Sequence, residues 1–432
     1  MHIPRLIARA AATACTTTST PTATPTKTLP PSSTGLDYSI PSSWALANVS
    51  HTYDYMNHIA QEAIDVMRTS YWKDPAKVDF GWGTGTTLSA LAYKDMVAST
   101  KTNKDTVKKI LAAAKKNNQH FDPYCYNDDA MWWGTTAMYA YRAYGDKEFL
   151  GWAKDVWNWV LPAQITPEQA KAGKTPIRPD GTFKSTCDGK TTAGGVFWRS
   201  QCGPKGDMGT NVITTALFQT LSAYLAEATG EKKYTTAAQR AFTYITDHLI
   251  LKDKAIPGDG LGLGSCKKNN WVFTYNTGKF VEGAIILSHI TKDAKYKSAA
   301  LAAIIDGVKH TKNWQNEKGE IKEGQDGDPK KGNDGRQFKV FTFFRAGGGG
   351  ERGAIYIRAL TEVARREYQN KELRALLKAY INIQYNNLIT KDTDKKGNYG
   401  VVWKGPYEGP YQSGQANALD LLVAGIEFNW KR

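Results

Sequence analysis

The sequence has no apolar run approaching the ~20 residues that a bilayer-spanning helix requires. The C-terminus, ending Phe428-Asn429-Trp430-Lys431-Arg432, lacks the hydrophobic tail of a lipid-anchor signal. Neither stable membrane insertion nor such an anchor is therefore expected. Histidine is scarce, at seven, and no two stand at helical metal spacing; with no Cys-x-x-Cys pair either, the usual zinc patterns are excluded. None of these histidines joins a Ser or Cys in a hydrolase elbow. The glycine-rich stretch Gly258-Asp259-Gly260-Leu261-Gly262-Leu263-Gly264 lacks the GxGxxG register. Asp392-x-Asp394-x-Lys396-Gly397 lacks both the fifth-position oxygen ligand and the terminal Glu of a calcium loop. No cofactor is implied.

Acidic residues are in deficit, 41 against 56 Lys and Arg, for a formal charge of +15. The excess is spread thinly: Lys267-Lys268, Lys330-Lys331 and Arg365-Arg366 are its densest pieces, and no nucleic-acid module surrounds them. A solvated basic surface follows, with attraction to phosphorylated glycans secondary and no nucleic-acid partner expected. Five cysteines are also few. Cys15 falls in a polar tail, which leaves Cys125, Cys187, Cys202 and Cys266 for two possible bridges; Cys187 to Cys202, closing a loop rich in Gly and Thr, is the favoured pair.

What is present is an aromatic-rich globular chain of 432 residues, with 13 Trp and 22 Tyr. Residues 1–36 read as a signal-like start followed by a Thr/Pro/Ser tract of the O-glycosylated, disordered kind, and Asn48-Val49-Ser50 is an N-glycosylation acceptor. Export to the medium or the cell wall is expected, with 37–432 forming one domain, and the protein is expected to be a monomer. From residue 52 onward, amphipathic segments at the 3.6-residue period fall near 52–68, 84–101, 104–117, 127–144, 147–160, 210–229, 234–250, 276–291, 294–310, 349–367, 371–388 and 411–428. They pair through a recurrent turn: Gly145-Asp146-Lys147-Glu148-Phe149, Gly230-Glu231-Lys232-Lys233-Tyr234 and Lys292-Asp293-Ala294-Lys295-Tyr296 share one habit, the mark of stacked helical hairpins.

Segments 127–144, 210–229, 276–291 and 411–428 are poor in Lys and Glu, whereas their partners carry regular charge. One set is thus buried on most sides and the other has one wet face. The pattern predicts an all-α (α/α)6 toroid, in which 349–367 is an awkward inner member because of Arg352, Arg358, Arg365 and Arg366. Long connections at 161–209, 251–275, 311–348 and 389–410 should gather on one face, the third with a small β-hairpin at Asn333-Asp334-Gly335.

On that face Tyr126-Asn127-Asp128-Asp129-Ala130-Met131-Trp132-Trp133 stands out. Two carboxylates at the start of an inner helix offer the nucleophile and the acid/base of a retaining glycosidase. Equally, Asn127 or Asp128 would serve as a plain helix cap while the tryptophans fill core. The residues alone leave both open.

The block resembles the catalytic Asp-Asp-x-x-Trp-Trp signature of glycoside hydrolase family 76, the endo-α-1,6-mannanases and their fungal wall relatives. Gly194-Gly195-Val196-Phe197-Trp198 resembles that family's Gly-Gly-Ile-Trp-Trp segment, with Phe197 replacing its first tryptophan. Asn211 matches an Asn opening the next inner helix, and Thr274-Tyr275-Asn276-Thr277-Gly278 resembles Thr-Tyr-Asn-Gln-Gly, Thr277 departing. The resemblance implies an (α/α)6 fold and retaining, endo-acting cleavage of α-1,6-mannan. It carries the nucleophile to Asp128 and the acid/base to Asp129. Candidate substrate-binding residues are Tyr126, Asn127, Trp132, Trp133, Trp198, Asn211, Tyr275 and Asn276, although Trp133 should face the core if Trp132 faces the cleft. The runner-up is a transglycosylase that takes the mannose-containing glycan of a GPI anchor as donor and wall β-glucan as acceptor. A glycan-binding protein without catalysis is a further alternative, disfavoured by the intact acid pair.

Overall fold

The computed structural model describes residues 35–44, 48–322 and 351–430. Its helices are α1 Tyr53–Val66, α2 Trp82–Ala98, α3 Lys104–Asn117, α4 Asn127–Tyr144, α5 Lys147–Val160, the short α6 Pro167–Ala172, α7 Val212–Thr229, α8 Lys232–Tyr244, α9 Thr274–Thr291, α10 Ala294–Ile305, α11 Glu351–Arg366, α12 Lys371–Lys391 and α13 Gln412–Asn429. Helices α2, α4, α7, α9, α11 and α13 each pack on the next and α13 packs back on α2, closing an inner ring. Around it α3, α5, α8, α10, α12 and α1 form the outer layer. The chain is an (α/α)6 barrel, as its sequence pattern predicts.

The recurrent turn has a physical basis. Inner helices end on a left-handed residue, Gly145 (φ 70°), Gly230 (φ 71°) or Lys292 (φ 60°), and the next residue opens the outer helix. Asp146 and Asp293 cap those helices by accepting from the N–H of Glu148 and Lys295. The aromatic that follows is buried and repeats its packing. Tyr234 sets its edge on Trp157, which stacks on Phe218, and Tyr296 sets its edge on Phe242, which stacks on Phe280. Each outer helix is thereby pinned to the previous outer helix and to its own inner neighbour.

Arginines on α11 do not make it a surface helix. Arg358 is buried and forms a two-pronged ion pair with Asp420 of α13, at 2.7 and 2.6 Å. Arg365 pairs with Glu427 at 2.7 Å, and Arg366 with Glu227 at 2.7 Å and Glu362 at 2.8 Å. The two layers also approach closely: a Cβ on Gly134 of inner α4 would lie 2.8 Å from Val156 of outer α5, so only glycine lets them touch.

One expectation changes. The bridges are Cys125–Cys202 and Cys187–Cys266, with Cα atoms 5.4 and 5.6 Å apart, in place of Cys187–Cys202. The hairpin expected at 333–342 lies outside the described residues. Among the described residues strands occur at β1 Thr186–Cys187 with β2 Lys190–Thr191, turned by Asp188 (φ 50°) and Gly189 (φ 74°), and in a small sheet of β3 Gly209–Asn211, β4 Gly260–Gly262 and β5 Lys267–Asn269. These strands bring Cys187 and Cys266 together and lay the long connections over the N-terminal ends of α4, α7 and α9.

Candidate active site

Helix α4 opens without a side-chain cap. Tyr126 takes the N-cap position in extended backbone, and Asn127, Asp128 and Asp129 begin the first turn. A second strand-like segment, 196–200, lies across this opening: Tyr126 bridges Arg199, Phe197 bridges Thr210, and Asn127 N–H donates to Trp198 O at 2.9 Å. The disulfide Cys125–Cys202 ties the two pieces covalently.

Asp128 is buried, and Asp129 is half-buried beside it. The indole Nε1 of Trp198 donates to Asp128 Oδ2 at 3.1 Å, while Asp128 Oδ1 is buried without a protein partner. Burial, and then the charge of Asp129, push the Asp128 carboxyl well above the usual range. Burial, and then the charge of Asp122, push Asp129 up to about 7. Asp122 is itself a structural group: its carboxylate accepts from Tyr126 N–H at 2.7 Å and from the Trp159 indole at 3.2 Å. The two carboxyls titrate as a pair, and such a pair releases its first proton readily and its second reluctantly. Trp198 and the backbone N–H groups of the first turn favour the charge on Asp128.

The other candidates separate into exposed and buried groups. Trp198 is 38% exposed and its ring packs 4.8 Å from that of Tyr126, with the Arg199 guanidinium 3.9 Å over the Tyr126 ring. Tyr275 is half-buried near the start of α9. It belongs to an edge-to-face run with Phe273 and Trp271, and Trp271, a residue the sequence reading passed over, is 48% exposed.

Five candidates make structural contacts in the barrel. Asn127 is buried, its amide donating to Phe197 O at 2.8 Å and Arg199 O at 3.0 Å, which consumes both of its N–H groups. Trp132 and Trp133 are both buried, the former tilted on Trp82 and the latter stacked on Phe121. Neither presents a ring face to a sugar. Asn276 is buried and donates to Asp259 Oδ1 at 3.1 Å. Asn211 caps α7, its Oδ1 accepting from Thr214 N–H at 3.0 Å. The second group missed by sequence reading is Asp259, which also accepts from Asn269 at 3.0 Å and whose backbone O receives Val212 N–H at 2.7 Å, so it joins β4, α7 and α9. Among the described residues no three His, Cys, Asp or Glu side chains converge as a metal site.

The site is thus a protonatable acid pair at one mouth of a helical toroid. Residues 181–349 match the model of glycosyl hydrolase family 76, the family whose motifs the chain resembles. The match spans Trp198, Asn211, Tyr275 and Asn276, and the acid pair lies upstream of it. Solved structures of similar fold include an α-1,6-mannanase of Salegentibacter sp. HEL1_6, as an inactive variant with two consecutive aspartates replaced, in complex with α-1,6-mannotetrose. It is 16% identical, with a TM-score of 0.67 over 87% of this chain and 99% of that one. Dfg5 from Chaetomium thermophilum in complex with glucosamine gives 16% identity and a TM-score of 0.65 over 88% and 92%. A family 76 α-mannanase of Bacteroides thetaiotaomicron gives 14% and 0.61 over 88% and 96%. No curated protein sequence matches significantly.

Proposed function

We propose that this chain is a retaining, endo-acting glycosidase of α-1,6-linked mannan or a related wall glycan, with Asp128 as nucleophile and Asp129 as acid/base. The observation that carries the reading is the adjacent pair itself, lifted above the ordinary carboxyl range with no cation against it among the described residues. The ionised Asp128, held by the Trp198 indole, attacks the anomeric carbon and forms a carboxyl–sugar bond as the glycosidic C–O bond breaks. Asp129 delivers its proton to the departing oxygen. Water then attacks the same carbon, gives a proton to Asp129 and frees Asp128. Both carboxyls are raised, so the two roles follow not from those shifts but from the Trp198 indole, which binds Asp128 in its ionised form and leaves the pair's proton to Asp129. The fold shared with an α-1,6-mannanase whose paired-aspartate variant is inactive supports the assignment. Two disulfides and the exposed Asn48 support an exported, wall-facing protein.

Interception of the covalent intermediate by a sugar hydroxyl in place of water would make the same site a transglycosylase. Product analysis on a linear α-1,6-manno-oligosaccharide, with and without a β-glucan acceptor, separates the two. Shorter α-configured mannosides establish hydrolysis, and longer or hybrid products establish transfer. Loss of all products in Asp128→Asn excludes a contaminant, and no turnover by wild type on either substrate overturns the mannan assignment.

A further inference from the structure

Arg178 lies in the connection after α6, fully buried at 0% exposure. Among the described residues the other buried cations, Arg358, Lys279 and Lys94, each sit against a carboxylate. Arg178 does not share that arrangement. Its four hydrogen bonds all go to backbone carbonyls: Nε to Asp207 O at 2.9 Å, Nη1 to Ile177 O at 2.9 Å and Ser200 O at 3.2 Å, and Nη2 to Arg199 O. Its guanidinium also stands 5.2 Å over the Phe197 ring. The charge of Asp207 acts on the guanidinium as well, but no carboxylate among the described residues hydrogen-bonds it; a buried cation held by carbonyls is costly, so its effect is sought in what those carbonyls belong to.

They belong to the segment that carries Trp198. Asn127 holds that segment from the α4 side through Phe197 O and Arg199 O, and Arg178 holds it from the opposite side through Arg199 O and Ser200 O. Between the two clamps the Trp198 backbone is fixed at both ends, its N–H on Gly209 O at 3.0 Å and its O on Asn127 N–H at 2.9 Å. The indole is thereby delivered to Asp128 Oδ2. We infer that Arg178 is a positioning residue, which acts through the 197–200 segment to hold the Trp198 indole N–H on the Asp128 carboxylate. The inference rests on the reading of Asp128 as a functional carboxyl. Arginine suits the task because its planar fork reaches several carbonyls at fixed angles, whereas a lysine would reach one or two.

The test compares Arg178→Lys, Arg178→Met, Trp198→Phe and the Arg178→Met/Trp198→Phe pair, each confirmed folded by circular dichroism. In spectra of protein carrying 15N-labelled tryptophan, the Trp198 indole resonance is assigned by its loss in Trp198→Phe. It is expected to move in Arg178→Met, and by less in Arg178→Lys, with the other indoles in place. Turnover is expected to fall about tenfold in Arg178→Met, with partial rescue in Arg178→Lys and no further loss on the Trp198→Phe background. A hydrogen bond to the ionised form favours it. The acid limb of kcat/KM should therefore move to higher pH alike in Arg178→Met and Trp198→Phe, with Asp129 and Asp122 the charged groups alongside. If Arg178→Met does not fold, Phe197→Leu, which withdraws only the ring under the guanidinium, should shift the same resonance by less. An unmoved indole resonance in a folded variant, or losses that multiply in the double variant, would overturn the inference. Because the resonance is read without turnover, a wild type inactive on every glycan tried would sink the glycosidase reading and leave this one standing.

Discussion

Two sets of buried carboxyls occupy the inner helices, and they differ in what faces them. Deeper in the barrel, Glu282 lies 2.7 Å from Lys279 and accepts from the hydroxyls of Tyr139 and Tyr224. Glu362 takes Arg142 at 2.6 Å and Arg366 at 2.8 Å. Burial by itself would raise both, but the neighbouring cations outweigh it, holding Glu282 below its usual range and Glu362 down to about 2. At the mouth, Asp128 receives an indole and backbone N–H groups, neither it nor Asp129 meets a cation among the described residues, and both rise. The protein is rich in arginine and lysine, yet it places them against the structural acids and leaves the pair unneutralised. Unpaired buried acids cost stability, and Asp392, raised to about 8 by burial and then by the charge of Glu408, is another; what sets Asp128 and Asp129 apart is that two such acids stand side by side at the mouth.

The comparison breaks most sharply on activity. Asp128→Asn and Asp129→Asn should each lower turnover on an α-1,6-mannan by roughly 100-fold or more, the usual scale for loss of an acid/base, with far-ultraviolet dichroism unchanged. Near-native turnover in either would remove that residue from the mechanism. The converse change belongs to the paired set. Arg358→Met leaves Asp420 buried without its partner and should cost about 3–5 kcal/mol in urea unfolding, with activity per folded molecule retained. Equal loss of specific activity would mean that the deep pairs are part of the site.

A smaller effect concerns pH. Because folding raises the carboxyl pKa of Asp129 to about 7, the folded chain keeps a proton that the unfolded chain releases near pH 4. Stability from this group is therefore complete below about pH 4 and declines as pH rises through 7. Asp129→Asn should remove that decline, leaving stability near wild type at pH 4 and raising it by about 2 kcal/mol at pH 8, after discounting for partial exposure. Urea midpoints at the two pH values measure it. An equal gain at both would show that packing, not titration, was responsible.

Much of the barrel was legible because long helices carry a strong 3.6-residue signal and because one turn recurs with the same aromatic two residues into the next helix. Tyr234 and Tyr296 meet equivalent partners, so the repeat in sequence is a repeat in contacts. Helix α11 looked awkward because Asp420 and Glu427, which neutralise Arg358 and Arg365, stand 62 residues further along the chain. The disulfides failed for a related reason: proximity of Cys187 to Cys266 is made by strands of two or three residues, too short to show an alternation. At the site the acid pair and Trp198 were readable as motif. Asn127 was not, since its carbonyl acceptors come from a segment 70 and 72 residues away. Spacing allowed one of Trp132 and Trp133 to face the cleft, but the closed inner ring covers both.

The smallest effect tests whether a motif residue is ligand or scaffold. Asn211 accepts the N–H of Thr214 through its side chain, and its own backbone lies in β3 against Gly260. Removing a cap of this kind typically costs about 1 kcal/mol. Asn211→Ala should therefore lower stability by that amount, whereas Asn211→Ser, which restores a side-chain oxygen at the cap, should recover most of it. If the cap is its whole contribution, KM for manno-oligosaccharides stays the same in both variants. A severalfold rise in KM that serine does not correct would instead mean that the free amide N–H groups of Asn211 reach a sugar hydroxyl. The substrate-binding surface would then extend from the acid pair across the mouth to α7.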